Sequence, residues 1–239
     1  MYSFIIPTLN EEALLPGLLT QLCTTRDELG ISFEIIVSDG GSTDKTIALA
    51  RTFPVTVLTM SEGKDTIPRG KNRGAKIASG QNLIFICADI RFADLKKFLK
   101  LVELEMSRKT IAMAFPVQVF PEERTVFDTI FHGFYNRYFH LINLIGIGFG
   151  RGECQVIKRT IFEKINGFQE HLAAGEDFDL FRRTVKYGKI KFCTKTVVYE
   201  SPRRYRKFGY WKVVQMWSKN AFSVIKKNES FSKEWEQVR

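Results

Sequence analysis

The chain has 239 residues, 44% hydrophobic and 26% charged, enough for one domain with a full core and too apolar for a disordered chain. Its net charge of +10 calls for an anionic partner: a nucleotide, a phospholipid surface or nucleic acid. The four cysteines (Cys23, Cys87, Cys154, Cys193) are scattered with no C-x-x-C pair, which argues against a disulfide or zinc framework and for a reduced, cytoplasmic protein.

The first half alternates strand and helix. YSFIIP is a short β-rich run that reaches Pro7 and polar residues too early for a signal peptide. LLPGLLTQL reads as a helix, with Pro16 in its first turn and Leu15, Leu18, Leu19 and Leu22 as its apolar stripe. FEIIVSD is a second strand, and STDKTIALARTF a helix with Ser42 or Thr43 placed to cap it. VTVLT is a third strand, KNRGAKIASG a short helix closed by Gly80, and NLIFICA a fourth strand, continuously apolar as a strand buried on both faces is. This βαβαβαβ order predicts a parallel sheet with helices on both faces. Ligands of such sheets sit at the carboxyl ends of the strands, where the sequence places Thr8, Asp39 and Asp89. One turn-forming Asp or Thr at a strand end is ordinary; polar groups at three such ends point to a site.

The second half is less regular. LKKFLKLVELEM is an amphipathic helix, and TIAMAFPVQVF a strand whose Pro116 implies an edge position. TVFDTIFHGFYNRYFHLINLIGIGFGRG (residues 125–152) carries Phe127, Ile130, Phe131, Phe134, Tyr138, Leu141, Ile142 and Ile145 at helical spacing. His132, Asn136, Arg137 and His140 make it a poor spanning helix, and the two histidines read as polar residues of a packed or interfacial helix, not metal ligands. Two readings stand: a long core helix, or a surface for a membrane or lipid-linked acceptor. The second is supported by the basic helix YWKVVQMWSKNAFSVIKK with Trp211, Trp217 and Phe222. GFGRG reads as a flexible turn bordering the acceptor. CQVIKRTIFEKINGF gives strand, helix and turn, KIKFCTKTVVY another strand, and the tail from Lys207 a basic aromatic helix. No repeat, low-complexity run or linker divides the chain, so one domain is expected.

In SDGGSTDKT, two glycines between an acid and a helix start give a tight turn where backbone approaches a ligand closely. Asp39 and Asp44 would repel phosphate, so a base or ribose is the better guest. GEDFDLFRR reads equally as a plain helix start, its acids favourable with the helix dipole and Asp179 structural.

In their order and spacing, FIIPTLNEE, IIVSDGGSTDKT, GKNRGAKIASG, FICADIRF, GFQEHLAAGEDFDLFRR and SPRRYRKFG resemble family-two glycosyltransferases. Those are inverting enzymes of the GT-A fold that use nucleotide-diphosphate sugars, and the resemblance covers about residues 2–210. It implies an α/β, Rossmann-like GT-A domain with a mostly parallel central sheet and helices on both faces. Residues 1–92 would form the nucleotide-sugar-binding half, 93–206 the acceptor and catalytic half, and 207–239 a basic aromatic helical tail. By the same resemblance Pro7, Thr8, Leu9 and Glu11 line the nucleoside pocket and Asp39 contacts the base. Lys71 stands where relatives often have arginine, with Arg69 and Arg73 close by. Asp89 matches the last acid of the D-x-D motif and would hold Mg²⁺ or Mn²⁺. Asp177 matches the catalytic base, with Glu176 beside it, and Arg203, Arg204 and Arg206 match basic residues near the diphosphate or acceptor.

The implied activity is metal-dependent hexosyl transfer to a hydroxyl or phosphate of an acceptor, polyprenyl or otherwise lipid-linked, at the cytoplasmic face of a membrane. One position departs from the pattern: Cys87 replaces the first acid of D-x-D. Cysteine is a poor ligand for a hard cation and here reads as a small packed hydrophobe. Either metal is held more weakly, or the Arg203–Arg206 cluster shares neutralisation of the diphosphate. Three other functions compete, of which a nucleotidyltransferase on a similar sheet is disfavoured because PTLNEEALLPG lacks a glycine-rich, arginine-bearing loop after the first strand. A nucleotide-sugar binder that has lost catalysis is disfavoured by the presence of Asp89 and Asp177. A nucleic-acid binder, suggested by pI ≈ 9.5 and SPRRYRKFGYW, is disfavoured by Asp39, Asp44, Asp89, Glu176 and Asp177 on the face that meets the ligand, so no nucleic-acid partner is expected.

Overall fold

The structure, a computed structural model, describes residues 1–60, 65–106, 109–234, 236 and 238. Strand β1 (Tyr2–Thr8) is apolar on both sides because it runs parallel between β2 (Phe33–Asp39) and β4 (Asn82–Ile86). Phe4 and Ile6 join one core cluster with Leu15, Leu18 and Leu22 of α1 (Leu15–Leu29) and Phe98 of α4 (Leu95–Glu105). Ile5, one residue out of step, belongs to the opposite face with Phe85, Phe162 and Phe181. The two-residue period of a strand thus serves two cores at once.

The large sheet runs β3-β2-β1-β4-β8-β6-β9, with β3 at Thr56–Leu58, β6 at Thr110–Ala114, β8 at Cys154–Lys158 and β9 at Lys189–Phe192. Only β8, among these strands, is antiparallel to its neighbours. A second sheet, β5-β10-β7, joins Ile90–Phe92, Val198–Glu200 and Val117–Val119. The expected α/β architecture, with a mostly parallel sheet covered on both faces, is what forms.

Several local expectations are corrected. TIAMAFPVQVF is not one edge strand: β6 lies inside the large sheet between β8 and β9, β7 lies in the small sheet, and Pro116 falls where the chain crosses between them. KIKFCTKTVVY divides into β9 and β10 by the same crossing. Neither Ser42 nor Thr43 caps α2 (Thr46–Ala50); the Asp44 carboxylate accepts from the Thr46 N–H at 2.9 Å, while the Ser42 hydroxyl turns to Asp39. Helix α3 (Ile67–Ile77) starts before KNRGAKIASG because Thr66 caps it and Pro68 fits its first turn, and it ends before Gly80.

The aromatic segment forms α5 (Val126–Leu144), opened by a capping box of Thr125 and Asp128. It is not a core helix: it buries Asp128, His132, Phe139 and Asn143, and leaves Phe127, Ile130, Phe134 and Leu141 exposed. The remaining helices are α6 (Arg159–Lys164), α7 (Glu176–Thr184), α8 (Arg203–Phe208) and α9 (Tyr210–Lys227). No helix among the described residues is long and apolar enough to cross a membrane.

GFGRG is a packed turn. Gly148 has φ +78°, and a Cβ on Gly150 would fall 1.8 Å from the fully buried Phe181 ring. Overpacking a core costs about 1–3 kcal/mol. Gly150→Ala is therefore expected to lower stability by at least about that amount, seen as an earlier urea midpoint at unchanged slope.

Candidate active site

In the order β3-β2-β1-β4, the chain steps from β1 to β2 to β3 in one direction and then returns to place β4 on the other side of β1. Such a reversal opens a crevice at the carboxyl ends of the two strands flanking it. Glu11 follows β1, and Asp89 lies in the turn where the chain leaves β4 and enters β5 of the small sheet. Because β10 pairs with β5 and the Ser201 N–H donates to the Asp89 carbonyl at 3.1 Å, the start of α8 is brought over the crevice. There one nitrogen of Arg203, Nη2, donates to Glu11 Oε1 at 2.6 Å and to Asp89 Oδ2 at 3.1 Å. Burial alone would lower the Arg203 pKa, but the two carboxylates hold it above its ordinary value.

That guanidinium nitrogen marks a point where two acids from distant strands favour a cation. Cys87 is not part of it: burial pushes its thiol well above the ordinary range, and Sγ donates to the Gly152 carbonyl at 3.4 Å. Among the described residues, no group of three or more His, Cys, Asp or Glu could hold a metal by itself. Mg²⁺, however, often takes only one or two protein carboxylates and fills its shell with water and phosphate oxygens. Asp89, one quarter exposed, and Glu11 fit that donor set if Arg203 withdraws.

On the β2 side, Thr8 and Asp39 lie opposite one another in parallel register. The Asp39 carboxylate accepts from the Gly41 and Ser42 N–H groups, each at 2.9 Å, and from the hydroxyls of Ser42 and Thr8. Its oxygens are thus spent on shaping the SDGGS turn. Arg73 fixes the same turn from α3, donating to Asp65 at 2.6 Å, to the Asp39 carbonyl at 2.6 Å and to Ser38 at 3.1 Å. Pro7 packs by Gly70, 3.5 Å from where a Cβ on that glycine would stand, and Leu9 follows β1 into the loop.

Across the crevice, Lys71 of α3 reaches Glu176 at the start of α7, Nζ to Oε1 3.0 Å, with both side chains buried. Burial opposes the Lys71 charge, but Glu176 first, then Cys87 and Asp177, keep its pKa above the ordinary value. Asp177 forms no ion pair among the described residues. Burial, with the Glu176 charge adding, raises its pKa to about 7, against a smaller lowering by Lys71. Its Oδ1 accepts from the Phe178 N–H at 2.8 Å, while Oδ2 faces Gly152, where a Cβ would lie 3.3 Å away. Asp177, Glu176, Lys71 and Cys87 floor a cavity of about 260 Å³ walled by aromatics of α5 and α9, among them Tyr135, Phe139 and Trp217. The side chain with a carboxylate pKa near neutrality therefore opens onto an apolar hollow.

Three expected basic residues lie elsewhere. Arg69 is exposed and pairs with Glu170 at 3.7 Å. Arg204 donates to the Glu236 carbonyl at 2.8 Å. Arg206 pairs with the buried Asp128, Nη2 to Oδ2 2.5 Å, tying α8 to the start of α5. A group missed in the sequence stands beside the cavity: buried Arg151 donates to Glu153 at 2.6 Å, Glu200 at 2.7 Å and the Tyr205 hydroxyl at 3.1 Å. Its Nη1 also meets His132 Nδ1, and burial lowers the His132 pKa to about 3, so that ring is neutral and no switch near pH 7. The signal was the RGE triplet after α5, where two opposite charges flank a glycine. Asp179 is structural, as expected, bonding Arg183 at 2.7 Å.

Comparison with known proteins agrees with this geometry. Residues 3–166 match the family described as glycosyl transferase family 2. A PGL/p-HBAD biosynthesis glycosyltransferase of Mycobacterium tuberculosis is 39% identical over 93 residues, a stretch covering 37% of this chain and 35% of that protein. The matched part is thus about a third of that relative's length. Among solved structures, the mannosyltransferase PcManGT from Pyrobaculum calidifontis, in complex with GDP-Man and Mn²⁺, superposes with TM-score 0.70 at 18% identity, over 92% of this chain and 61% of that one. TarS of S. aureus, in complex with UDP-GlcNAc, gives 0.63 at 18% identity, over 84% and 58%. At those identities the likeness is one of fold.

Glu176→Gln removes the negative neighbour that helps raise Asp177, so the Asp177 pKa is expected to fall from about 7 toward the ordinary carboxylate range. Lys71→Met should move it the other way. Carbon NMR titration of labelled aspartate carboxyls reads both shifts.

Proposed function

The chain belongs to glycosyl transferase family 2 and has the GT-A fold, and from that premise we propose that it is an inverting, nucleotide-sugar-dependent hexosyltransferase. The observation that carries this reading is the Asp177 carboxyl, with a pKa of about 7 and Oδ2 open to a cavity. A general base works best when its pKa lies near the working pH.

In the proposed reaction, the acceptor oxygen forms a bond to the anomeric carbon of the donor as the bond from that carbon to the diphosphate breaks. The acceptor proton passes to Asp177 Oδ2, and the nucleoside diphosphate leaves with the bonding electrons. Displacement from the face opposite the leaving group inverts the anomeric centre. The loop held by Asp39, Thr8 and Arg73 supports the nucleoside, beside Pro7, Leu9 and Glu11. Arg203 is mobilised by the diphosphate, whose oxygens compete with Glu11 and Asp89 for the guanidinium. Mg²⁺ or Mn²⁺ held through Asp89, with Glu11 near, would offset charge developing on the departing diphosphate. PcManGT and GalNAc-T7, both solved with Mn²⁺, lend that cofactor support by likeness of fold. Lys71 holds Glu176 in place and keeps the floor of the site from carrying two uncompensated acids.

The acceptor fits the same cavity. Its aromatic walls suit an apolar body and its floor suits a hydroxyl, which is the make-up of a lipid-linked or polyprenyl acceptor. A simple sugar would leave its hydroxyls facing rings.

Asp177→Asn is expected to bind donor nucleotide as wild type does while losing about 10²- to 10⁴-fold in transfer rate. In the wild-type enzyme, kcat should rise as pH passes through about 7 and then level off, because the deprotonated carboxylate is the active form. Normal turnover by Asp177→Asn contradicts the assignment, and donor binding without turnover by wild type favours a binding protein instead.

A further inference from the structure

Helix α5 and its C-terminal Ile145 carry an apolar stripe left exposed among the described residues. Phe127, Ile130, Phe134, Leu141 and Ile145 follow at three-, four- and seven-residue steps, each more than half exposed. A soluble helix normally turns such a stripe into the core. Helix α9 lies beside it, with Phe131 in ring contact with both Tyr210 and Trp217. It too exposes large apolar groups: Trp211 at 74%, Phe222 at 59% and Ile225 at 56%.

Helix α9 itself carries lysines and no acid. Lys212, Lys219 and Lys226 recur every seven residues along α9, all exposed. Each ammonium lies over an aromatic ring, those of Phe208, Phe231 and Phe222 respectively, at 4.5 to 5.2 Å from the centroid. Exposed lysines interleaved with exposed aromatics on one helix are the arrangement that suits an anionic headgroup layer. A second copy of the chain, itself at +10, would bring like charges together across such a face.

We propose that the exposed faces of α5 and α9 dock on an anionic lipid surface, with the α5 stripe at the acyl boundary and the α9 lysines on headgroup phosphates. The cavity over Asp177 opens on this face, since Tyr138 of α5 and Ser218 of α9 are exposed and also belong to its wall. An acceptor lying in the bilayer can then present its hydroxyl to Asp177 without crossing water. That last step rests on the transferase reading; the docking does not.

The test uses the full chain and no sugar nucleotide. Flotation is compared for vesicles of phosphatidylcholine alone and with about one third phosphatidylglycerol, at low and raised salt. Wild type should float with the anionic vesicles at low salt and much less at raised salt. Phe134→Ser with Leu141→Ser and Ile145→Ser, and separately Lys212→Glu with Lys219→Glu and Lys226→Glu, should each reduce the bound fraction at least about tenfold. All six sites are exposed, so thermal unfolding and nucleotide binding should stay as in wild type. Should either variant misfold, quenching of Trp211 by brominated lipid in wild type, lost in Trp211→Phe, gives the same answer. Wild type left unbound by anionic vesicles, variants that float normally, or a wild-type dimer that the serine variant dissociates would overturn the proposal. Vesicle binding with no transfer activity would instead spare the docking and count against the proposed reaction.

Discussion

One guanidinium nitrogen of Arg203 joins the ends of two strands that the sequence separates by almost eighty residues. Carboxylates drawn out of water at strand ends must meet cations or lose their charge. Arg203 meets Glu11 and Asp89, and Lys71 meets Glu176 on the other side of the same crevice. Removing one partner of the buried Lys71–Glu176 pair costs about 3–5 kcal/mol, because the other is left uncompensated. These contacts fasten α8 to the strand ends of the first half and the start of α7 to α3. They leave Asp177 without an ion pair among the described residues, and burial, with the Glu176 charge adding, raises its pKa to about 7. A base for neutral pH follows from how charge is shared elsewhere in the crevice.

The strands of the first half were legible because a buried strand must be apolar and a parallel strand must be followed by a crossover. Asp39, Asp89 and Asp177 were legible as acids at element ends. The direction of neighbouring side chains was not. In SPRRYRKFG the three arginines look like one cluster, but on the helix Arg204 points about 100° from Arg203, and Arg206, a turn further on, meets a different neighbour. Arg203 faces the crevice, Arg204 the tail and Arg206 the start of α5. On α3 Lys71 and Arg73 point about 200° apart, Lys71 to Glu176 and Arg73 to the Asp39 turn, while Arg69 in the first turn meets Glu170. Pro116 misled for a related reason: a proline between two sheets and a proline on a sheet edge leave the same mark in the sequence.

The aromatic helix shows the limit of periodicity more sharply. An apolar stripe at three- and four-residue steps is written alike in a core helix and in an interfacial one. What separates them is whether another element arrives to cover the stripe. On α5 the polar side does the packing, through Asp128 to Arg206 and His132 to Arg151. Asp128 and His132 turn inward to these partners together with Phe139, and the stripe of Phe127, Ile130, Phe134 and Leu141 turns out.

The central claim, that paired charges at the crevice hold a place for a sugar nucleotide and its cation, is tested most directly by calorimetric titration of UDP- and GDP-sugars with and without Mn²⁺. The account predicts that one of them binds, that Mn²⁺ tightens it, and that Asp89→Asn removes the tightening while leaving the fold intact. No binding by any sugar nucleotide to folded protein, with or without the metal, would contradict it.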